Sequence, residues 1–237
     1  MLVIAHRGAS GHAPENTLAS FRRAVEMGAR AVEFDVHRTL DGELVVAHDD
    51  DLRRCGGDRR ALRRLRWKGE ADRIDVGSWF DPKFSGERLP RLADVFDAVP
   101  PSVEMHVELK HGSRVYPGIE RAVVDFLRGE ASGRRVIVSS FDHRALFSVR
   151  ELDSNVRIGY LLGLTRAATA WREMSELSAE SLNLSLRQAS ARLLRAARER
   201  GFKTLVYTVN TPMDRDRLAR SGVDGIFSNY PELDLWR

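Results

Sequence analysis

Cysteine is nearly absent from the sequence: Cys55 stands alone among 237 residues. No disulfide can form within the chain, which fits a reducing cytoplasm. A lone thiol followed by Gly56-Gly57 reads as incidental rather than nucleophilic. Long apolar runs are missing too, so nothing is long enough to cross a bilayer and no stable membrane insertion is expected. No basic segment, apolar stretch and cleavage site open the chain, so no signal peptide is expected. Lysine is scarce: Lys68, Lys83, Lys110 and Lys203 are the only four among 38 basic residues, and arginine supplies the rest. The formal charge is +4 and the pI about 9.6. Without aromatic side chains interleaved among the basic ones, that excess argues only weakly for nucleic acid, and none is expected as a partner. No Gly-x-Gly-x-x-Gly follows the first apolar run, which removes the fingerprint of a doubly wound dinucleotide-binding sheet.

What is present is enough hydrophobic residue, 43%, for one full-sized core, and a mean hydropathy of −0.35 that suits a globular chain. Short β-rich runs alternate with helical patterns. Strands are expected over 2–6, 31–38, 43–47, 104–110, 135–140, 157–162, 181–184, 204–209 and 224–228. Helices are expected over 15–27, 91–98, 117–128, 143–152, 166–176, 187–200 and 212–221. Asp41-Gly42 is a hairpin signal, so 43–47 should fold back on its neighbour. Eight strands then remain, and eight βα units at about 250 residues point to an α/β fold of the TIM (β/α)8 barrel type. One connection is too long for a barrel loop. Residues 51–88 therefore read as a small insertion after the second barrel strand, within one domain spanning 1–237. Its basic stretch 59–67, RRALRRLRW, reads as a solvated helix face with Leu62 and Leu65 turned inward; binding of an anionic membrane surface or a nucleic acid is the competing reading.

Alternation along strands locates the chemistry. In VEFDVH, 32–37, Glu33 and Asp35 share one face and Val32, Phe34 and Val36 the other. Two like charges about 4 Å apart repel by about 4 kcal/mol at an effective dielectric of 20, so something positive must offset them. In HVELK, 106–110, Glu108 and Lys110 share a face in the same way. Three carboxylates with no cysteine nearby form an all-oxygen set, which suits a hard cation, Mg²⁺ or Ca²⁺, better than zinc. His6 ends the first strand and His48 ends ELVVAH; both are placed at C-terminal strand ends, where barrel active sites are built. Arg7 adds a planar, permanently charged donor for a phosphate oxygen. His12, His37, His106, His111 and His143 each read as structural. The whole set reads as phosphoryl-transfer chemistry, with cations holding the anion and two histidines moving protons.

These residues resemble the glycerophosphodiester phosphodiesterase family. HRG at 6–8, PENT at 14–17, EFD at 33–35, HDD at 48–50, ELK at 108–110, GSWF at 77–80, SSF at 139–141, YTVN at 207–210 and GVDGIFSNYP at 222–231 match it in order. The resemblance implies a TIM barrel with an insertion after the second strand. It implies hydrolysis of a glycerophosphodiester to glycerol 3-phosphate and an alcohol, so the expected partner is a small-molecule diester. It implies a divalent metal at Glu33, Asp35 and Glu108, His6 and His48 as general base and acid, and Arg7 and Lys110 on phosphate. Tyr207 stands where the family usually has Trp, on the wall of the substrate pocket. Ser228-Asn229 replaces a common Thr-Asp, and Arg54-Cys55-Gly56 replaces Arg-Thr-Thr. Glu15 is expected in the first turn of the first helix, with an alternative role beside the site for Glu15 and Asn16. Two other readings stay open: a phospholipase D-type hydrolase of lysophospholipids, for which Trp67, Trp79, Phe80 and the Arg-rich insertion are the hints, and a barrel that binds phosphate without turnover.

Overall fold

The apolar runs become strands and the patterned segments between them become helices in the computed structural model, which describes residues 1–232. The chain begins with β1 (Leu2–His6), α1 (Leu18–Glu26), β2 (Ala31–Arg38), β3 (Leu44–Val46), β4 (Asp51–Leu52), α2 (Arg53–Gly56) and β5 (Asp58–Ala61). It continues with α3 (Leu92–Ala98), β6 (Glu104–Leu109), α4 (Ile119–Arg128), β7 (Val136–Ser140), α5 (His143–Leu152) and β8 (Arg157–Leu161). It ends with α6 (Ala167–Glu176), β9 (Ser181–Ser185), α7 (Ala191–Glu199), β10 (Lys203–Tyr207), α8 (Pro212–Arg220) and β11 (Gly225–Ser228). The sheet order is β1-β11-β10-β9-β8-β7-β6-β2-β3, and β1 also pairs with β2. That last pairing closes eight parallel strands into a barrel, as expected for a TIM fold. β3 lies outside it, antiparallel on β2.

Alternation decides which side of each strand faces the helices. Val32, Phe34 and Val36 join the large core cluster between barrel and helices. Phe34 meets Phe21 of α1 and Phe96 of α3 edge-on, at centroid distances of 5.6 and 6.3 Å. Edge-to-face pairs of this kind add about 0.5–1.5 kcal/mol beyond burial. Register then places the other face. His6 pairs with Glu33 across β1–β2, and Asp35 pairs with Glu108 across β2–β6.

Two helices start three or more residues later than the periodicity predicts. α1 begins at Leu18, not 15, because Thr17 caps it: its Oγ1 accepts from the Ser20 N–H at 3.2 Å, and Ser20 Oγ accepts from the Thr17 N–H at 3.3 Å. A reciprocal cap of this type satisfies two otherwise orphaned donors. Glu15 therefore lies before the helix, not in its first turn. α7 begins at Ala191, because the Ser190 hydroxyl accepts from the Leu193 N–H.

The insertion has a small core of its own. β4 and β5 pair antiparallel. Leu52, Leu62, Leu65, Ala71, Val76 and Leu89 cluster with Val45 and Ala47 from the returning hairpin. The stretch 59–67 is not a helix: it is part of β5 followed by a 3-10 turn over Leu62–Arg64. Leu62 and Leu65 are fully buried all the same. Each such burial contributes about 1.5–3 kcal/mol, enough to hold a short irregular segment down. Cys55 packs half-buried against this cluster, and burial pushes its thiol up to about 11, which removes it as a nucleophile at neutral pH.

Candidate active site

Glu33, Asp35 and Glu108 meet at the C-terminal end of the barrel. Each offers one carboxylate oxygen, and these oxygens lie within 4.8 Å of one another. The strand-face reading of the sequence places them together, and the β2–β6 register is the reason. Lys110, one residue past β6, lies 2.9 Å from Glu108 Oε1 and 3.2 Å from Asp35 Oδ1. Arg7 contributes its backbone N–H to Glu33 Oε2 at 3.1 Å and its Nε at 3.4 Å from Asp35 Oδ2. Arg7 holds a positive φ of 56°, and Gly8 follows at 78°. A Cβ on Gly8 would lie 2.6 Å from the Ser20 carbonyl carbon, so only glycine lets this turn close on α1.

His6 Nε2 is 3.9 Å from Glu33 Oε2. Its other ring nitrogen, Nδ1, is 2.8 Å from Asn229 Oδ1. With that oxygen accepting, Nδ1 carries the proton and Nε2 presents its lone pair toward the carboxylates. Asn229 is in turn held by its own N–H, which donates to Asn210 Oδ1 at 2.9 Å. Sequence reading noted Asn229 only as a departure from a pattern. The contact spans 223 positions, so no local signal could have revealed it.

His48 does not sit at the end of a barrel strand. β3 runs antiparallel to β2, and the Ala47 N–H donates to the Asp35 carbonyl at 3.0 Å. The hairpin therefore carries His48 back down beside Asp35. Its Nδ1 lies 2.7 Å from Asp49 Oδ1. Asp49 also accepts from Arg54 Nε at 2.8 Å, and Arg54 donates to both oxygens of Glu15 at 2.7 and 3.0 Å. Glu15 accepts from Arg7 at 2.9 Å. An alternating chain Arg7–Glu15–Arg54–Asp49–His48 thus ties the first loop to the insertion. Asn16 donates to Asp35 Oδ2 at 2.9 Å. The site-side alternative for Glu15 and Asn16 is what the structure has.

Burial and crowding divide the charges. Burial, Asp35 and Glu108 push the Glu33 carboxyl well above its usual range. Burial and Asp35 push Glu108 up to about 7. Burial opposes ionisation of Asp35 as well, yet Lys110 and Arg7 outweigh it and hold that carboxyl low. Burial, with Arg7 beside it, lowers His6 to about 4, and burial lowers His48. His6 is neutral at pH 7 in this arrangement. Lys110 stays charged because Asp35 and Glu108 overcome its desolvation.

A cavity of about 190 Å³ opens over these groups, lined by His6, Arg7, Glu33, His48, Glu108 and Lys110 on one side. Phe141, Leu161, Tyr207 and Phe227 form its apolar wall. Tyr207 is on that wall as expected, and burial raises its phenol to about 12, so it stays protonated. The remaining histidines are engaged elsewhere. His37 bonds the Tyr116 hydroxyl at 2.6 Å, His12 meets Glu232 at 2.7 Å, and His143 stacks on Tyr160. His106 lies near Glu104, at the opposite end of β6, and His111 pairs with Asp50. Trp67 packs on the insertion's own core, not on the cavity.

A barrel whose C-terminal rim gathers three carboxylates, two histidines and two fixed cations is a setting for hydrolysis of a phosphate ester. Comparison with known proteins gives that setting a family. The model of the glycerophosphoryl diester phosphodiesterase family matches residues 6–233. A glycerophosphodiester phosphodiesterase from Caldanaerobacter subterraneus subsp. tengcongensis is 36% identical over 234 residues, covering 98% of this chain and 95% of that one. An Oleispira antarctica phosphodiesterase, solved with the product sn-glycerol-3-phosphate, superposes with a TM-score of 0.91 at 30% identity, over 98% of this chain and 94% of that one. A glycerophosphodiester phosphodiesterase from Agrobacterium tumefaciens superposes at 0.84 with 26% identity, over 98% of each chain. The chain belongs to the glycerophosphoryl diester phosphodiesterase family, and it is an enzyme of that class.

Proposed function

We propose that the chain hydrolyses glycerophosphodiesters to glycerol 3-phosphate and an alcohol, as one barrel domain with residues 51–88 as its insertion. The observation that carries this reading is the carboxylate trio flanked by Arg7 and Lys110, with the His6 ring 3.9 Å from Glu33. Glu33, Asp35 and Glu108 would hold a divalent metal, Mg²⁺ or Ca²⁺. The fit is physical: three buried oxygens within 4.8 Å of one another, two of them on carboxyls that crowding pushes up, lack positive charge that a cation supplies. When bound, the metal would polarise a phosphoryl oxygen. Arg7 and Lys110 bind the remaining phosphate oxygens, and Tyr207 forms part of the wall against which the diester lies.

Proton transfer falls to the histidines. Neutral His6, its Nε2 lone pair free, takes the proton from the glycerol 2-hydroxyl, whose oxygen attacks phosphorus. The bond to the alcohol oxygen breaks, and that oxygen takes a proton from the second histidine, His48, which acts in its imidazolium form beside Asp49. Water then opens the cyclic phosphate with the roles exchanged. No serine or cysteine nucleophile is needed. The lone half-buried thiol and the absence of a spanning helix among the described residues fit a cytoplasmic enzyme.

A second reading, cleavage of lysophospholipids, is favoured by one observation. A groove of about 920 Å³ lined by Phe141, Leu162, Leu164 and Tyr207 adjoins the cavity and shares Phe141 and Tyr207 with it. Glycerol 3-phosphate release from glycerophosphocholine, measured with Mg²⁺, Ca²⁺ or EDTA on wild type and His6→Ala, tests the first reading. Metal-dependent release lost in His6→Ala supports it. Release of choline from lysophosphatidylcholine alone would favour the second. No release from either, nor from an aryl phosphodiester, by folded protein would leave a barrel that binds without turnover.

A further inference from the structure

Among the described residues, six large apolar side chains are exposed: Met1, Leu40, Trp79, Phe141, Leu164 and Met213. Their positions are not spread evenly. Leu40 is in the loop after β2, Trp79 in the insertion, Phe141 after β7, Leu164 after β8, and Met213 in the first turn of α8 after β10. All five stand at the end of the barrel that carries the catalytic cavity. Met1, just ahead of β1, is the one exception.

Arginine adds charge at the same end. In the insertion, Arg59, Arg63 and Arg64 are exposed, and their side chains make no ion pair or hydrogen bond among the described residues. Arg187, exposed after β9, is likewise free and lines the groove that also holds Leu164. At the opposite end Arg30 and Arg220 are exposed as well, but the basic side chains around the strand starts are engaged. Arg157 and Lys203 are paired with Glu104 and Glu180, and Arg134 donates to the carbonyls of Phe96 and Val99. A soluble surface with scattered apolar residues needs no explanation, but apolar tips gathered at one end of a barrel beside unpaired arginines do.

We infer that the cavity-bearing face docks on an anionic phospholipid surface. Charge complementarity selects the occupant. A guanidinium fork fits lipid phosphate, each free Arg near an anionic leaflet adds attraction, and short apolar tips enter the headgroup boundary without spanning it. Tryptophan at such a boundary keeps its N–H satisfied while its ring is in contact with lipid; Trp79 Nε1 already donates to the Val76 carbonyl at 2.8 Å. Adsorption of this kind is reversible and needs both signals, the basic and the apolar. The cavity then opens toward the layer from which its diesters derive.

Binding is read without turnover, so the test stands whatever the substrate proves to be. The full chain is sedimented with vesicles of phosphatidylcholine alone and of phosphatidylcholine mixed with phosphatidylglycerol. Binding to the mixed vesicles only, weakening as salt rises, is expected. The triple variant R59A/R63A/R64A lowers that partitioning at least about fivefold, while its hydrolysis of a soluble diester stays at the wild-type rate. Leu40→Ser with Met213→Ser lowers it as well, with arginines intact. Failure of the folded wild type to bind mixed vesicles at low salt overturns the inference. So does binding that the triple variant leaves unchanged. Equal binding to a soluble polyanion such as heparin, insensitive to Leu40→Ser and Met213→Ser, also overturns it, because it shows charge attraction alone.

Discussion

The two ends of the barrel treat their glutamates in opposite ways. At the cavity end, burial and the charges of Asp35 and Glu108 push Glu33 above the usual carboxylate range, and burial and Asp35 push Glu108 up. At the far end, hydrogen bonds from Arg157 and from His106 or Lys203 hold Glu104 and Glu180 at about 2, against burial. The same residue type on one barrel is destabilised where it would act and stabilised where it only supports. Crowded like charges cost folding free energy and are tolerated for what they bind. Paired charges at the far end serve the closure of β6, β8, β9 and β10.

The comparison breaks most visibly at the histidines and carboxylates of the cavity. His6→Ala is expected to lower glycerol 3-phosphate release about 10²–10⁴-fold with little change in melting temperature. Glu108→Gln should lower it about 10²–10³-fold, yet leave the metal-free protein as stable as wild type or more so, since a repelled charge is removed. Loss of stability in that variant would contradict the account of the cavity end. Asn229→Ala should cost about tenfold in kcat with KM nearly unchanged, and Asn229→Asp should restore most of it, because either side chain accepts from Nδ1.

At the far end the signs reverse. Arg157→Ala should lower stability by about 1–2 kcal/mol, read as a lower urea midpoint, with activity retained. Stability against pH sharpens the contrast further. Glu104 and Glu180 have folded pKa values near 2, below the ordinary 4.5. Their contribution is therefore present above 4.5 and lost as pH falls toward 2. Glu108, raised to about 7 from 4.5, behaves oppositely in metal-free protein: stability falls as pH climbs between those values. Urea titrations of wild type and Glu108→Gln, without metal, should differ in that upper window and coincide below 4.5.

Much of this was legible in the sequence because strands have a short period. Alternation in VEFDVH and HVELK put Glu33, Asp35 and Glu108 on one side, and their β2–β6 register did the rest. The Asp41-Gly42 turn gave the hairpin. Where contacts are long-range or loops override periodicity, the reading stopped short. His48 reads as a C-terminal strand-end residue like His6, although the Asp41-Gly42 turn already makes its strand a returning hairpin arm outside the barrel. Glu15 looked helical because Pro14 and an acidic residue suit a helix start, yet its partners Arg7 and Arg54 are fixed by the tertiary fold. RRALRRLRW carried a helical spacing of leucines that burial satisfied without a helix.

The bond from His6 to Asn229 joins the first barrel strand to the last. Synthesis makes the ring nitrogen with the first barrel strand and its partner only after the last. A growing chain has every carboxylate of the cavity long before it has the amide that sets the imidazole. Incomplete translation products, or chains clipped ahead of the last strand, carry the acidic residues but no partner for the His6 ring. Activity is in this sense a report on completeness: the site certifies that the whole ring has been made and closed before it turns over a substrate.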